Sequence, residues 1–222
     1  MKHQAKAITR EEAQYIFIKY LVETAQYWAD ESRQPEGKAK CSGTVFSSLV
    51  CLDGGAMGPP GYELQAKLEG TISGSPEQYG DDFGGALHEH FYQYMDEDYC
   101  CKDNPPRHKF LLEMARVAKR YANSDMSDDQ KCKATLSDFL LVLDGKAGID
   151  RPKIVPCSGA EGDIEYAQEE GYDYYPLVGE DIGGDLYSLV HRMILGEWKK
   201  PDGLYDSGEH MIDEAKRFHA KR

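Results

Sequence analysis

The sequence predicts a mainly α-helical fold with short β segments, an α+β arrangement of two similar halves about a pseudo-twofold axis. Three observations predict it. Apolar residues recur at helical spacing, while few segments alternate with period two. Two capping boxes and two Asp-Gly steps mark helix starts and ends. Finally, the chain is written twice. Lys40, Cys41, Thr44, Leu49 and Leu52-Asp53-Gly54 recur 91 residues later as Lys131, Cys132, Thr135, Leu140 and Leu143-Asp144-Gly145. A second block, Asp81-Asp82-Phe83-Gly84-Gly85-Ala86-Leu87, matches Glu180-Asp181-Ile182-Gly183-Gly184-Asp185-Leu186 at an offset of 99. Both blocks come in the same order.

The elements follow in chain order. Thr9-Arg10-Glu11-Glu12 is a capping box, and the helix it opens runs to about Ser32 with Phe17, Leu21, Thr24 and Trp28 on one face. A shorter helix ends at Asp53-Gly54, where glycine suits a left-handed cap. A Gly/Pro loop around Pro59-Pro60 leads to a short strand, Tyr62 to Leu68. The Gly-Gly helix follows, with Phe83, Leu87, Phe91 and Met95 inward. The second half repeats this order. Pro105-Pro106 opens a helix over 105–123 with Phe110, Met114, Val117 and Tyr121 as its stripe. Ser127-Asp128-Asp129-Gln130 caps the helix that ends at Asp144-Gly145. A strand over Lys153 to Cys157 precedes the second Gly-Gly helix, with Ile182, Leu186, Val190 and Ile194 inward. A last helix spans 208–220. The halves are 1–104 and 105–198, with 199–222 as a C-terminal helical extension on one compact globule. Positions shared by both copies (Asp53, Gly54, Gly84, Gly85, Asp144, Gly145, Gly183 and Gly184) are expected to be architectural.

Charge narrows the function classes. The chain holds 26 Lys+Arg against 39 Asp+Glu, a net charge of −13 over 222 residues. That disfavours direct nucleic-acid binding, which needs clustered bases, and equally an anionic membrane surface. No apolar run reaches membrane length and the N-terminus has no apolar signal core, so a cytoplasmic location is expected. The six cysteines (41, 51, 100, 101, 132 and 157) form no CxxC and are expected as reduced thiols.

No catalytic motif stands out. Leu87-His88-Glu89-His90 is not HExxH: two residues apart on a helix, the imidazoles point about 200° apart and cannot share a zinc. Asp96-Glu97-Asp98 reads as a solvated helix end. Asp53 and Asp144 would suit acid–base work only if brought close, and Asp-Gly more simply ends a helix. Cys157-Ser158-Gly159 has no partner histidine to make it a nucleophile loop. No cofactor or metal site is implied.

The order of charge says more. Between Lys67 and Lys102 there is no base and there are eight acids; between Lys153 and Arg192 there is again no base and there are nine. Together these 17 negative charges exceed the net charge, so the rest of the chain is net positive by four. The second stretch adds Tyr166, Tyr172, Tyr174 and Tyr175 to Glu169, Glu170 and Asp173. Rigid rings beside unpaired carboxylates suit an interface with a basic protein partner. A solvated, solubilising face gives the same charge without the rings.

The expected function is therefore a non-catalytic acidic binding protein, an inhibitor or immunity-type protein that occupies a basic surface. Two alternatives use other features. One is a metal-assisted hydrolase built on carboxylates and His88 or His90, with Asp96 and Asp98 or the Asp53/Asp144 pair. The other is a structural or scaffold module that imitates an ancestral homodimer.

Overall fold

Helix α1 begins where its capping box places it. The Thr9 hydroxyl accepts the Glu12 amide at 3.2 Å, the Glu12 carboxylate accepts the Thr9 amide at 2.6 Å, and the helix runs over Arg10–Asp30. The computed structural model describes residues 6–7, 9–31, 33–34, 36–53, 65–69, 87–96, 105–146, 148–157, 174–175, 180–202 and 204. Over these residues the chain is mainly helical: α2 spans Gly37–Leu52, α3 Leu87–Met95, α4 Pro105–Arg120, α5 Asp128–Leu143 and α6 Leu186–Ile194. Four short strands accompany them: β1 (Lys6–Ala7), β2 (Gln65–Glu69), β3 (Lys153–Cys157) and β4 (Tyr174–Tyr175). β2 and β3 pair antiparallel, with Lys67 opposite Val155; β1 and β4 pair in parallel.

The ends of the helices have local causes. Ser127 and Gln130 form the second capping box, at 3.3 and 3.0 Å. α5 closes on Gly145 at φ +75°, with the Gly145 amide on Val142 and the Lys146 amide on Leu141. That double bond is a Schellman motif, which needs a left-handed residue. α6 closes the same way on Gly196. At the end of α1 a buried lysine serves instead. Lys40 Nζ donates to the Ala29 carbonyl at 2.6 Å and pairs with Asp128 at 3.0 Å. A cation there neutralises the negative end of the helix dipole.

Packing departs from the expected stripes in one instructive place. α1 buries Ala13, Phe17, Leu21, Ala25 and Ala29, while Thr24 and Trp28 lie half-buried beside that face. Small alanines let α2 and α5 approach closely; the indole of Trp28 lies instead across Gly43 and donates to Ser47 Oγ at 3.0 Å. Tyr121 and Ile194 are half-buried in the same way, whereas Phe110, Met114, Val117, Leu87, Phe91, Met95, Ile182, Leu186 and Val190 are buried as expected. Residues 62–64, Phe83 and the 208–220 segment lie outside the described residues.

α2 and α5 pack against each other through buried residues. Cys41 of α2 faces Thr135 of α5, and Cys132 of α5 faces Thr44 of α2. Burial pushes the Cys132 thiol up to about 11 and the Cys51 thiol to about 12, so both stay protonated and act as small apolar fillers. α1 packs on α2, α5 and α6; α4 packs on α5, α2 and α3. Each long helix thus reaches across to the other half of the sequence.

Candidate functional site

The acidic, Tyr-rich stretch between β3 and α6 is tied to the helical frame at three points. It leaves β3 at Cys157, and its Tyr174–Tyr175 strand pairs with Lys6–Ala7 just ahead of α1. Its last residues, 180–185, are then clamped. Asp181 is the hub of that clamp. Its carboxylate accepts the Arg151 guanidinium, the Ile154 amide at 3.0 Å and the Gly183 amide at 2.8 Å. Partial burial works against the charged form, yet Arg151 and the two amides outweigh it and hold the carboxyl below its ordinary range.

α1 supplies the other side of the clamp. Arg10 donates to the Asp181 and Gly183 carbonyls at 3.0 and 2.7 Å, and Gln14 to the buried Ile182 carbonyl at 2.9 Å. Arg10 and Gln14 lie four apart, one turn of the same helix face. The chain then turns sharply into α6: Gly184 sits at φ +85° and Asp185 at φ +60°. Glycine takes this left-handed region freely and aspartate tolerates it better than most residues. Gly183 leaves room for Arg151, whose Nη1 a Cβ there would meet at 2.5 Å.

The two Asp-Gly aspartates have a clear duty. Asp144, at the end of α5, accepts the Leu186 and Tyr187 amides at 3.1 and 2.9 Å. It therefore caps the N-terminus of α6 from 42 residues away. Asp53, at the end of α2, accepts the His88 amide at 2.8 Å at the start of α3. It also meets His88 Nδ1 at 2.5 Å; its side chain is 2% exposed and that of His88 27%. A carboxylate on unpaired helix N–H groups stabilises through both hydrogen bonds and the dipole. Each of the two aspartates is engaged at the start of its own helix.

The other expected positions fall as follows. His90 points to Gln93 at 3.5 Å, on a different face of α3 from His88. The Asp96 amide bonds the Gln93 carbonyl. Gly145 and Gly184 take left-handed backbone and Gly183 lies against Arg151, whereas Gly54, Gly84, Gly85, Glu97, Asp98 and Ser158 lie outside the described residues. So do Tyr166, Glu169, Glu170, Tyr172 and Asp173. Among the described residues, no three His, Cys, Asp or Glu side chains converge as a metal-binding group, and no helix is long and apolar enough to cross a membrane. Arg10, Gln14, Lys40 and Arg151 were not legible as functional in the sequence; the i, i+4 polar pair on α1 was the available signal for two of them. Comparison with protein-family models, curated proteins and solved structures finds no match.

Proposed function

We propose that this chain is a non-catalytic acidic binding protein, in the manner of an inhibitor or immunity-type protein, that docks its second acidic stretch on a basic partner protein. The observation that carries this reading is the charge order. Nine acids and no base lie between Lys153 and Arg192, with Tyr166, Tyr172, Tyr174 and Tyr175 among them. The clamp supports it: a binding loop works best when a rigid scaffold holds its ends. Asp53, Asp144 and Asp181 serve backbone amides. In this reading Tyr166, Glu169, Glu170, Tyr172, Asp173, Tyr174 and Tyr175 meet the partner, with the acids setting the association rate and the rings the residence time.

The same reading includes an internal duplication, with halves 1–104 and 105–198 and an extension from 199. Reciprocity supports it. Cys41/Thr135 and Cys132/Thr44 exchange under the 91-residue offset, as do the capping aspartates Asp53 and Asp144. Buried Phe17, Leu21, Ala25 and Ala29 of α1 correspond to buried Phe110, Met114, Ala118 and Ala122, 93 residues on.

The test uses the triple charge reversal Glu169→Lys, Glu170→Lys and Asp173→Lys. Wild-type protein, immobilised, should retain a basic protein from lysate of its own source and release it as salt rises. The triple variant should lose that protein while keeping its fold by circular dichroism. An unchanged set of retained proteins overturns the reading.

A further inference from the structure

We propose that the aromatic face of α2, flanked by α1 and α3, acts as a docking groove for an arginine-bearing segment of a basic partner. The floor is Gly43, Phe46 and Ser47 on α2. On one wall the Trp28 indole covers Gly43 and bonds Ser47, with Tyr27 edge-on to it at 5.6 Å. On the other wall Tyr92 stacks on Phe46 at 5.2 Å and shares a hydrogen bond with Ser42, while His88 meets the same Phe46 edge-on at 5.7 Å. The two ring groups sit on neighbouring ridges of α2, Gly43/Ser47 and Ser42/Phe46. Their crests are open: Tyr27 is 55% and Tyr92 49% exposed. Large exposed rings, each backed by a further ring, mark interaction sites.

The other half supplies an internal control. Under the duplication proposed above, the offsets that pair the halves turn Tyr27, Trp28 and Ser47 into Arg120, Tyr121 and Asp138. There the surface is closed by its own charges. Arg120 pairs with Asp138 at 2.6 Å and with Glu113 at 3.9 Å, and Tyr121 also bonds Asp138. On the α1 side the fold is self-satisfied in one half and left as open rings in the other, while Tyr187 and His191, in the places of His88 and Tyr92, keep a ring pair at 4.5 Å. A site used once should show this asymmetry.

Charge complementarity selects the occupant. Faces of Trp and Tyr attract a guanidinium, and Arg stacks on them as well as pairing with carboxylates. The last turns of α1, α2 and α3 contain no base. Glu89 lies one turn from Tyr92, and Glu31 accepts the Tyr27 hydroxyl at 3.1 Å. At the N-terminal mouth Arg33 is already held by Glu31 at 2.7 Å, and Lys38 is exposed. A second copy of this chain would bring another 13 negative charges against the first. The inference rests on the basic-partner reading, because it assigns to that partner a second contact on the first half.

The probe is a nona-arginine peptide titrated into the full-length protein, followed by amide chemical shifts. The expected result is binding that moves the resonances of Tyr27, Trp28, Phe46 and Tyr92. The double variant Tyr27→Ala, Tyr92→Ala should weaken it about tenfold, as loss of interface rings does. Both side chains are at the surface, so the fold should persist. Binding that moves only resonances of the 158–180 stretch and ignores the double variant overturns the groove while leaving the basic-partner reading intact. No binding at low salt overturns both. Concentration-dependent dimerisation in sedimentation, abolished by the double variant, would assign the groove to a second copy and overturn the arginine proposal.

Discussion

At the residue scale, three carboxylates, those of Asp53, Asp144 and Asp181, sit on backbone amides. Asp181 shows what that does to proton affinity. Its folded carboxyl lies below the ordinary range, because Arg151 and the Ile154 and Gly183 amides favour the charge more than burial disfavours it. The sign of the linkage follows. A depressed folded value means stability that is present above the unfolded value of about 4 and is lost as pH falls through the folded one. Thermal melts between about pH 5 and 2 should therefore fall more steeply for wild type than for Asp181→Asn, which has no charge to lose. At neutral pH the same variant should be less stable by about 1–3 kcal/mol, the range for breaking hydrogen bonds to a charged group. Parallel pH curves for the two proteins would show that Asp181 does not drive the slope.

At the element scale, the helices are set by local chemistry and their mutual placement by distant side chains. Asp144 ends α5 yet caps α6. Asp144→Ala should lower stability by about 1–2 kcal/mol, the range for an N-cap, and hydrogen exchange should quicken first in the first turn of α6. Uniform quickening throughout the protein would count against a local cap. This division explains what the sequence could reveal. Thr9 to Glu12 and Ser127 to Gln130 were readable as helix starts because both partners of each box lie within four residues. Gly145 was readable as a stop because only its own φ is at issue. The Leu-Asp-Gly triplets at 52–54 and 143–145 drew attention to Asp53 and Asp144, and both helices end at those aspartates. Their capping of α3 and α6 was not readable, since the accepted amides lie 35 and 42 residues on and no local pattern links them. Trp28 misled for a related reason. Its bulk suggested a core position, but small Ala25 and Ala29 occupy the crowded side of α1, and Trp28 found its place over Gly43. Arg10 and Arg151 look like surface charges until the segment around Asp181 folds onto them.

At the scale of the whole molecule, the long helices are the informative parts. α1 rests on α5 and α6, and α4 rests on α2 and α3, so each is packed largely by elements from the other half of the chain. β2 and β3 likewise pair across the halves. If the halves descend from one unit, that unit could not have buried its long helix alone. Phe110, Leu111 and Met114 of α4, all fully buried in the intact chain, would face water in an isolated second half. Exposing three such side chains costs about 5–8 kcal/mol, comparable to the entire stability of a small domain. Two copies could restore the burial by each lending its long helix to the other, with α5 crossing its twin through Cys132 and Thr135. A polypeptide of residues 105–204 should therefore be folded only as a dimer. Sedimentation equilibrium combined with circular dichroism over a dilution series checks this, with helicity expected to fall as the dimer dissociates. A helical monomer that persists on dilution would show that each half is an independent domain, and the exchanged packing would then be no relic of a twofold ancestor.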